Sequence, residues 1–296
     1  MTGWIIYNGN LKSGKIFELV LWLQKTANSY DINLIPVKNS DILFYFDEHS
    51  NPKLEHLSLN DLPEFVISWD KDIPLAKHFE LMDIKVYNNA DGIHACDNKV
   101  IMTQYLASHD IRVPKTVIAP MVYSNCTIEE FSIYDKIIKT LSLPLIIKEA
   151  YGSFGAQVYK VDTKEALLEQ VKAIGNKPHL FQEYIQNSHG RDIRLNIVGG
   201  KVITSMMRVS EIDFRANITN GAKAVLYTPT DAEKALALKC TELLNLDFSG
   251  VDLLFGEEGP ILCEINGNPH FKSIFECTGI DVSKHIIEYI LGDLLC

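Results

Sequence analysis

Short apolar runs alternate with helix-like patterns over about the first 90 residues of the chain. The run WIIY precedes a helical pattern that extends to about Asn28, and the apolar runs INLIPV, DILFYF, FVISW and KVYN follow. Strands that alternate with helices at this spacing predict a small open α/β domain with a mainly parallel sheet. Residues 89–97 are interpreted as a junction. Asp97 or Asn98 can then cap a helix that runs to about Ser108.

The rest of the chain predicts two further segments of different character. The first contains a helix near Glu129–Leu141, the strand PLIIKEA, a glycine loop, the strand AQVYKV, the helix Lys164–Ile174 and the strand HLFQEYI. The second is richer in hairpins, DIRLNIV-GG-KVITSMMR and GVDLLF-GEEG-PILCEIN, with a helix between them from about Asp231 to Leu244. No internal repeat or low-complexity segment interrupts this order.

Composition narrows the class of protein. The 296 residues are 47% hydrophobic and 22% charged, which is typical of a globular protein, and the formal net charge is −10. The chain has no basic block, which argues against a nucleic-acid partner, because binding a phosphate backbone needs clustered positive charge. A local cationic pocket is still compatible with this composition. No apolar stretch is long enough to span a bilayer, and the N-terminus lacks the pattern of a signal peptide.

The cysteines indicate a reducing compartment. They lie far apart, with no C-x-x-C pair and no Cys/His cluster, so neither a zinc site nor a disulfide framework is predicted. The six positions are Cys96, Cys126, Cys240, Cys263, Cys277 and Cys296. We therefore expect a cytoplasmic protein with no membrane association.

The stretch GNLKSGKI resembles a phosphate-binding P-loop but lacks one essential residue. Gly9, Gly14 and Lys15 fit the pattern G-x-x-x-x-G-K between an apolar run and a helical pattern. The next residue is Ile16, where a P-loop needs the hydroxyl of Ser or Thr for Mg²⁺. The residues alone leave open whether ATP binds here, and a turn at the carboxyl end of a parallel strand can also line a substrate cleft.

The hairpin SGVDLLFGEEGPILCEINGN carries the strongest chemical signal. If Gly256 and Pro260 close a three-residue loop with Gly259 at its left-handed position, Asp252 faces Glu264 directly across the strand pair. Asn266 then projects from the same face, because side chains alternate along a strand. Facing carboxylates repel each other unless a divalent cation binds between them, and carboxylate and amide oxygens suit Mg²⁺. The alternative is a solvent-facing polar strip.

Three further clusters each have a structural alternative. Lys148 ends a buried-looking strand before the loop Gly152–Gly155, which suits phosphate binding or is only a β-turn with an exposed lysine. The strand FQEYI, followed by GRDIR, offers backbone groups to an adenine edge, with a carboxylate for ribose hydroxyls. Arg208, Arg215 and Asn217 fall in or near the polar stretch DFRANITNGA, where arginines are often solvated.

Taken together, these clusters resemble the ATP-grasp superfamily, and most closely the RimK-like carboxylate–amine ligases. The resemblance runs from about Cys96 to the C-terminus. The motifs that carry it in order are DNK with IRVPKT behind it, IIKEAYGSFGAQV, QEYI, GRDIR, DFRANITNGA, GVDLLF, EINGNP and TGIDV. It implies an ATP-grasp fold, classed as α/β and α+β, with an N-terminal Rossmann-like pre-ATP-grasp domain at 1–95. The central lobe with the glycine loop would span 96–185, and the C-terminal lobe with the metal site would span 186–296.

The resemblance also implies residue roles. The residues expected to bind ATP are Lys99, Lys148, Gly152, Ser153, Phe154, Gly155, Gln182, Glu183, Tyr184, Ile185 and Asp192. The lysines would contact phosphates, the glycine loop would close over them, residues 182–185 would hold adenine, and Asp192 would lie near the ribose. The expected metal residues are Asp252, Glu264 and Asn266. Arg208 would stabilise charge at the reacting centre, and Arg215 and Asn217 would approach the γ-phosphate.

The implied reaction is amide formation between a small-molecule or peptide carboxylate and an amino-acid amine. ATP and Mg²⁺ are the implied cofactors, with Mn²⁺ as an alternative ion, and glutamate is a reasonable amine donor. One departure bears on the substrate, because many relatives carry a proline–glycine turn where this chain has Pro269-His270-Phe271-Lys272. His270 and Lys272 could bind a carboxylate or only shape the loop. A phosphotransferase and a nucleotide-binding protein with little turnover are the alternative functions, and the resemblance allows a homo-oligomer.

Overall fold

The N-terminal part of the chain is a parallel sheet with a helix on each side of its central strands. The computed structural model describes residues 1–11, 14–128 and 130–295. The elements of this part are β1 (Thr2–Tyr7), α1 (Gly14–Asn28), β2 (Asn33–Lys38), β3 (Ile42–Phe46), β4 (Pro52–His56), β5 (Phe65–Ser68), α2 (Ile73–Leu81) and β6 (Lys85–Tyr87). The sheet has the strand order β2-β1-β5-β6 and every pair in it is parallel, as the sequence predicts.

The run DILFYF lies outside that sheet. It forms β3, which pairs antiparallel with β4 to give a separate two-stranded hairpin. The sequence pattern placed it in the parallel series because its apolar residues look like those of a buried strand. In the structure, Leu43 and Phe46 are instead more than half exposed. Apolar content alone does not distinguish a central strand from a hairpin that covers one edge.

The middle of the chain forms an antiparallel sheet with its own core. Its elements are α3 (Ala90–Asp97), α4 (Lys99–Ala107), β7 (Thr116–Ile118), α5 (Ser132–Leu141), β8 (Leu145–Glu149), β9 (Val158–Val161), α6 (Lys164–Ile174) and β10 (His179–Glu183). The strand order is β7-β10-β8-β9. The predicted junction at 89–97 is itself helical, Asn98 caps α4 as expected, and the predicted start near Glu129 lies outside the described residues.

The C-terminal part is a five-stranded antiparallel sheet backed by helices. Its elements are β11 (Arg191–Val198), β12 (Lys201–Val209), β13 (Lys223–Leu226), α7 (Asp231–Leu243), β14 (Phe248–Gly256), β15 (Gly259–Asn266), α8 (Lys272–Thr278) and α9 (Val282–Leu294). The strand order is β13-β12-β11-β14-β15. No helix within the described residues combines the length and the apolar character that crossing a bilayer requires.

The β14–β15 hairpin differs from its predicted geometry but keeps its predicted pairing. Gly256 pairs with Gly259, so the loop has two residues rather than three, and that part of the prediction is wrong. A bulge at Cys263 adds the missing residue, because Leu253 pairs with Leu262 while Asp252 pairs with Glu264. The predicted facing of the two carboxylates is therefore confirmed.

The N-terminal and C-terminal parts share one apolar core. Helix α9 packs on α1, and side chains of α8, α9 and the N-terminal sheet form one buried cluster that includes Ile5, Leu23, Ile274 and Ile286. Burial on this scale is the main stabilising contribution, about 25 cal/mol per Å² of apolar surface. The two parts are therefore held in a fixed relation around the space between them.

One fully buried amide reinforces this arrangement next to the site. Asn88, at the end of β6, donates from Nδ2 to the carbonyl oxygens of Phe248 (2.8 Å) and Gly267 (2.6 Å). Its Oδ1 accepts the N–H groups of Asp247 (2.6 Å) and Phe248 (3.1 Å). All the hydrogen-bonding groups of this side chain are thus spent on fixing the hairpin that carries Asp252 and Glu264.

Candidate active site

A cavity of about 770 Å³ lies where the three parts meet, and it gathers most of the predicted site residues. Both walls carry polar groups, since the glycine loop and β10 lie on one side and the face of β11, β12, β14 and β15 on the other. The predicted residues that line it are Lys148, Ser153, Phe154, Gly155, Gln182, Glu183, Tyr184, Ile185, Asp192, Arg208, Arg215, Asn217, Asp252, Glu264 and Asn266. The two that do not line it are Lys99 and Gly152, which contact each other, because Lys99 Nζ donates to the Gly152 carbonyl.

A strip of alternating charges crosses the C-terminal sheet at the floor of the cavity. Arg208 of β12 pairs directly with Asp192 of β11, and Arg194 of β11 pairs directly with Asp252 of β14. Arg208 donates from Nε and Nη2 to the two oxygens of Asp192, both at 2.6 Å. Arg194 donates in the same two-pronged way to Asp252, with Nη2 at 2.7 Å from Oδ2. Such bidentate pairs fix the side chains in position.

Asp252 is charged because two arginines outweigh its burial. Its side chain is 5% exposed, and Arg208 Nη2 adds a third contact at 3.0 Å from Oδ2. Burial opposes ionisation of this carboxyl, but Arg194 and Arg208 together lower its pKa. The repulsion from Glu264 that the sequence raised is therefore relieved first by arginines, before any cation binds.

Glu264 and Asn266 are the freer members of the predicted metal set. Glu264 lies 3.6 Å from Lys99 Nζ, and Asn266 donates from Nδ2 to the Gly250 carbonyl at 3.4 Å, which leaves its amide oxygen available. Asp252 still has one of its four lone-pair directions unused. Within the described ranges no three His, Cys, Asp or Glu side chains form a ready metal site, but two carboxylates and an amide fit a hard divalent cation.

Lys148 carries a positive charge that no carboxylate compensates in the described structure. Its side chain is 8% exposed at the cavity, and its Nζ contacts the Sγ of Cys263 at 3.8 Å. Burial raises the pKa of that thiol to about 11, so the neighbour is neutral at physiological pH. A buried ammonium without a counterion is costly, and an anion in the cavity would stabilise it.

The glycine loop is held by cations from three different elements. Lys99 Nζ donates to the Gly152 carbonyl at 3.0 Å, Lys71 Nζ donates to Ser153 Oγ at 3.2 Å, and Arg215 Nη1 donates to the Gly155 carbonyl at 2.7 Å. Gly155 has φ +73°, and a Cβ there would lie 2.4 Å from the Oδ1 of Asn217. Only glycine permits this turn so close to its neighbours.

The predicted adenine segment lines the cavity, and three of its side chains are occupied, with the hydroxyl of Tyr184 hydrogen-bonded to His189. Gln182 donates from Nε2 to Thr116 Oγ1 at 3.1 Å, and Glu183 Oε1 accepts the N–H of Lys115 at 2.7 Å. Tyr184 and Ile185 line the cavity beside them. Part of the backbone is occupied as well, because Gln182 and Glu183 are paired within the sheet and the Ile185 carbonyl accepts the N–H of Ser188 at 2.9 Å. The backbone groups of Tyr184 and the N–H of Ile185 are the ones that no hydrogen bond occupies in the described structure.

The turn that resembles a P-loop also lines the cavity. Of its described residues, Leu11, Lys15 and Ile16 line the cavity, while Lys12 and Ser13 are outside the described residues. The turn belongs to the β1–α1 connection at the carboxyl end of β1, as expected. The described residues of the turn therefore line the cavity, and whether the substrate binds beside them stays a prediction.

Sequence reasoning missed two cations of the site. Arg194 lies two residues after Asp192 in the motif GRDIR. Side chains two residues apart in a strand lie on the same face of the sheet, so this spacing indicates that Arg194 lies on the same face as Asp192. Lys71 comes from the loop after β5 and pairs with Asp97 as well as with the glycine loop. No local pattern marks Lys71, because its partners lie far away in the chain.

Comparisons with known proteins agree with this geometry. The profile of the RimK-like ATP-grasp domain matches residues 96–290. N-acetylaspartylglutamate synthase A of Homo sapiens is 31% identical over 82% of this chain and 64% of its own length. A probable alpha-L-glutamate ligase of Vibrio atlanticus is 30% identical over 89% of this chain and 87% of its own length. Across the synthases of this group, the chain spans between 54% and 66% of the relative's length.

A solved structure shows the same fold. The ATP-grasp ligase PsnB, in a complex with a phosphomimetic variant of a minimal precursor, Mg and ADP, superposes with a TM-score of 0.71. The alignment covers 99% of this chain and 98% of that one at 13% sequence identity. The chain therefore has an ATP-grasp fold, and the fold predicted from the motifs is confirmed.

Proposed function

Since the chain belongs to the RimK-like ATP-grasp family, we propose that it is an ATP-dependent ligase that joins a carboxylate to an amino-acid amine. One observation carries the proposal. The charged strip, the uncompensated Lys148 and the glycine loop all face one cavity, although they come from distant parts of the sequence. Such a cavity suits a reaction in which negative charge moves among oxygens.

Some residues of the site would bind the nucleotide, and others would lie close to the reacting phosphate. Lys148 and Lys99 would contact ATP phosphates, the loop 152–155 would cover them, and residues 182–185 would hold adenine through their backbone. Asp192, whose oxygens are held by Arg208, would lie near the ribose. Arg215 and Asn217, which contact the loop at Gly155, would lie close to the γ-phosphate when the loop covers it.

The first chemical step activates the carboxylate. A carboxylate oxygen attacks the γ-phosphorus, the bond from that phosphorus to the β–γ bridging oxygen breaks, and an acyl phosphate and ADP form. Arg208, held between Asp192 and Asp252, is rigid and places its charge next to the reacting oxygens at little cost in side-chain entropy.

The second step forms the amide. The neutral amine attacks the acyl carbon, and a tetrahedral intermediate carries negative charge on oxygen. The nitrogen loses a proton to solvent, and inorganic phosphate leaves with the electrons of the broken carbon–oxygen bond. Water competes with the amine for the same carbon, so the loop 152–155 must close the cavity while the acyl phosphate exists. Its three cationic contacts hold it in place for that purpose.

Glu264, Asn266 and the remaining lone pair of Asp252 would hold a divalent cation, Mg²⁺ or alternatively Mn²⁺. Such an ion neutralises phosphate charge and orients the transferred phosphoryl group. The described cysteines are all unpaired, which fits the reducing, ATP-rich cytoplasm. A glutamate donor and a homo-oligomer remain part of the proposal. A light-scattering mass and a product analysis test them.

The deciding experiment combines ADP release with product mass. The purified chain is mixed with Mg²⁺–ATP and pooled amino acids and small peptides, and Lys148→Met serves as the inactive control. A product equal to two substrates minus water, formed with ADP and absent in the variant, supports the ligase. A product heavier by one phosphoryl group overturns it in favour of a phosphotransferase. Nucleotide binding without ADP release, also with cell extract as the pool, overturns it in favour of a binding protein.

A further inference from the structure

The wall of the cavity formed by the N-terminal part carries one lysine, Lys15, that pairs with no described residue. Four lysines line the cavity in the described structure, and Lys71 and Lys272 are paired with Asp97 and Glu18. Lys148 lies beside the glycine loop, where nucleotide phosphates are expected. Lys15 forms no ion pair or hydrogen bond with any described residue. Lys15, in the motif that resembles a P-loop, is therefore a cation of the cavity whose ligand is not yet assigned.

A second donor lies near it on the C-terminal wall. Arg194 is 8% exposed, and its Nε and Nη2 are spent on Asp252. Its Nη1 makes no hydrogen bond in the described structure. That atom and the Cβ of Pro269 lie 3.1 Å and 2.7 Å from the point where a Cβ of Gly250 would be. The free corner of the guanidinium is therefore adjacent to the loop that carries His270.

His270 completes the group. Its Nε2 is buried without a hydrogen-bonding partner, and its ring meets that of Phe154 edge to face at 6.1 Å. Burial lowers its pKa, and the charges of Arg194, Lys15 and Lys272 lower it further, while Glu18 opposes them. All three cations line the same cavity as His270. A neutral imidazole still offers one N–H donor.

We propose that Lys15, His270 and the free Nη1 of Arg194 form an anion subsite that holds a substrate carboxylate other than the one being activated. This inference rests on the proposed ligase function. The subsite favours an amino acid that keeps a free carboxylate while its amine reacts. The phosphate-directed cations Lys148 and Lys99 lie at the glycine loop, so the nucleotide has its own positive charges and does not need this group.

Calorimetric titration of the full chain, saturated with Mg²⁺ and a non-hydrolysable ATP analogue, tests the subsite. The probes are L-glutamate, L-glutamine and L-isoglutamine, because each amide removes one of the two carboxylate charges. We expect L-glutamate to bind at least about tenfold more tightly than one of the amides, since a charge-assisted hydrogen bond is lost. Lys15→Met should abolish that preference and leave affinity for the nucleotide analogue unchanged.

Two further variants sharpen the test. Lys25→Met removes an exposed lysine from the same helix, away from the cavity, and should keep the wild-type preference. His270→Leu removes the N–H donor but no charge, and should reduce the preference several-fold. Circular dichroism of each variant verifies that the fold is retained.

The possible failures separate the two proposals. Absence of L-glutamate binding to the nucleotide-loaded protein, equal binding of both amides, or an unchanged preference in Lys15→Met each overturns the subsite. Absence of nucleotide binding overturns the ligase proposal instead. In that case a Lys15-dependent preference for L-glutamate in the nucleotide-free protein would still support the subsite.

Discussion

Asp252 and Glu264 face each other across β14 and β15, yet they have different surroundings. Asp252 is buried, accepts two N–H groups of Arg194, and has Arg208 Nη2 at 3.0 Å from its Oδ2. Glu264 is 26% exposed in its side chain, and its nearest cation is Lys99 at 3.6 Å. One carboxylate is therefore part of the framework of the sheet, while the other is available to a ligand.

This difference predicts that two neutralising substitutions differ in their effect on the stability of the fold. Glu264→Gln should abolish turnover and weaken Mg²⁺ binding, with little change in the free energy of unfolding. Asp252→Asn should also destabilise the fold by about 3 kcal/mol, because two buried arginines lose their counter-charge. Urea unfolding and Mg²⁺ titration of the nucleotide-bound protein measure the two effects.

Glu257→Gln, in the exposed turn of the same hairpin, is the matched control and should behave as wild type. Near-normal turnover of Glu264→Gln would remove that residue from the metal site. Equal unfolding free energies for Asp252→Asn and wild type would show that the arginines do not depend on this carboxylate.

The glycine loop predicts a site-specific cost at Gly155. Gly155 and Gly200 have nearly the same backbone, with φ +73° and +70°, so alanine is strained by about 1 kcal/mol at either position. Only at Gly155 does the new Cβ meet Asn217, at 2.4 Å, whereas nothing lies within 4 Å at Gly200. Gly155→Ala should raise the KM for ATP and lower kcat, and Gly200→Ala should change neither. Similar kinetics for the two variants would contradict a role for the close loop contact.

Substitution of two lysines in the same cavity tests where the ATP phosphates bind. Lys148→Met should weaken binding of a Mg²⁺-loaded ATP analogue by about tenfold or more, because the buried ammonium has no other counterion. Lys15→Met should leave that affinity within about twofold, since the missing hydroxyl at Ile16 argues against a P-loop. Equilibrium titration of both variants measures this. A large loss in Lys15→Met with none in Lys148→Met would reverse the assignment.

Local rules predicted the hairpin chemistry, although one detail was wrong. The facing of Asp252 and Glu264 follows from the loop length and the strand period, and the two-residue loop would have moved the pairing by one residue. The bulge at Cys263 restores it. The amino-acid composition of a run such as PILCEIN does not reveal a bulge. The predicted pairing was therefore correct although the predicted loop length was wrong.

Contacts between distant elements could not be predicted in the same way. Arg194 and Asp252 are 58 residues apart, and their ion pair requires β11 to lie beside β14. The same holds for Lys71, which reaches Asp97 and Ser153 from another part of the chain. The motifs identified the family and hence the fold. The contacts of Arg194 and Arg208 with Asp252 depend on the order of the strands in the sheet, and the residue pattern within one strand does not predict that order.

A second carboxylate cluster, away from the cavity, predicts the pH dependence of stability. Burial raises the pKa of Asp247 to about 6, although Tyr289 donates a hydrogen bond to it at 2.9 Å. The folded state therefore binds a proton that the unfolded state, with a pKa near 3.8, has already lost. The stability from this group is present at low pH and is lost as the pH rises from about 4 to 6. Asp247→Asn should raise the free energy of unfolding at pH 7 by about 2–3 kcal/mol.

Asp293 provides the control of opposite sign, because it lies in the same cluster with a lowered pKa. The hydroxyl of Tyr87 donates to it at 2.6 Å and Lys85 lies 3.2 Å away, and the hydrogen bond from Tyr87 is the larger cause of the shift. Its contribution is present at neutral pH and is lost only as the pH falls below about 4, so Asp293→Asn should destabilise the protein at pH 7 and progressively less as the pH falls below that value. Urea unfolding of both variants from about pH 2.5 to 7.5 measures the two pH dependences. If Asp247→Asn were no more stable than wild type at pH 7, the carboxylate would have to be solvated in the folded protein, and the burial of Asp247 behind Tyr289 would not hold in solution.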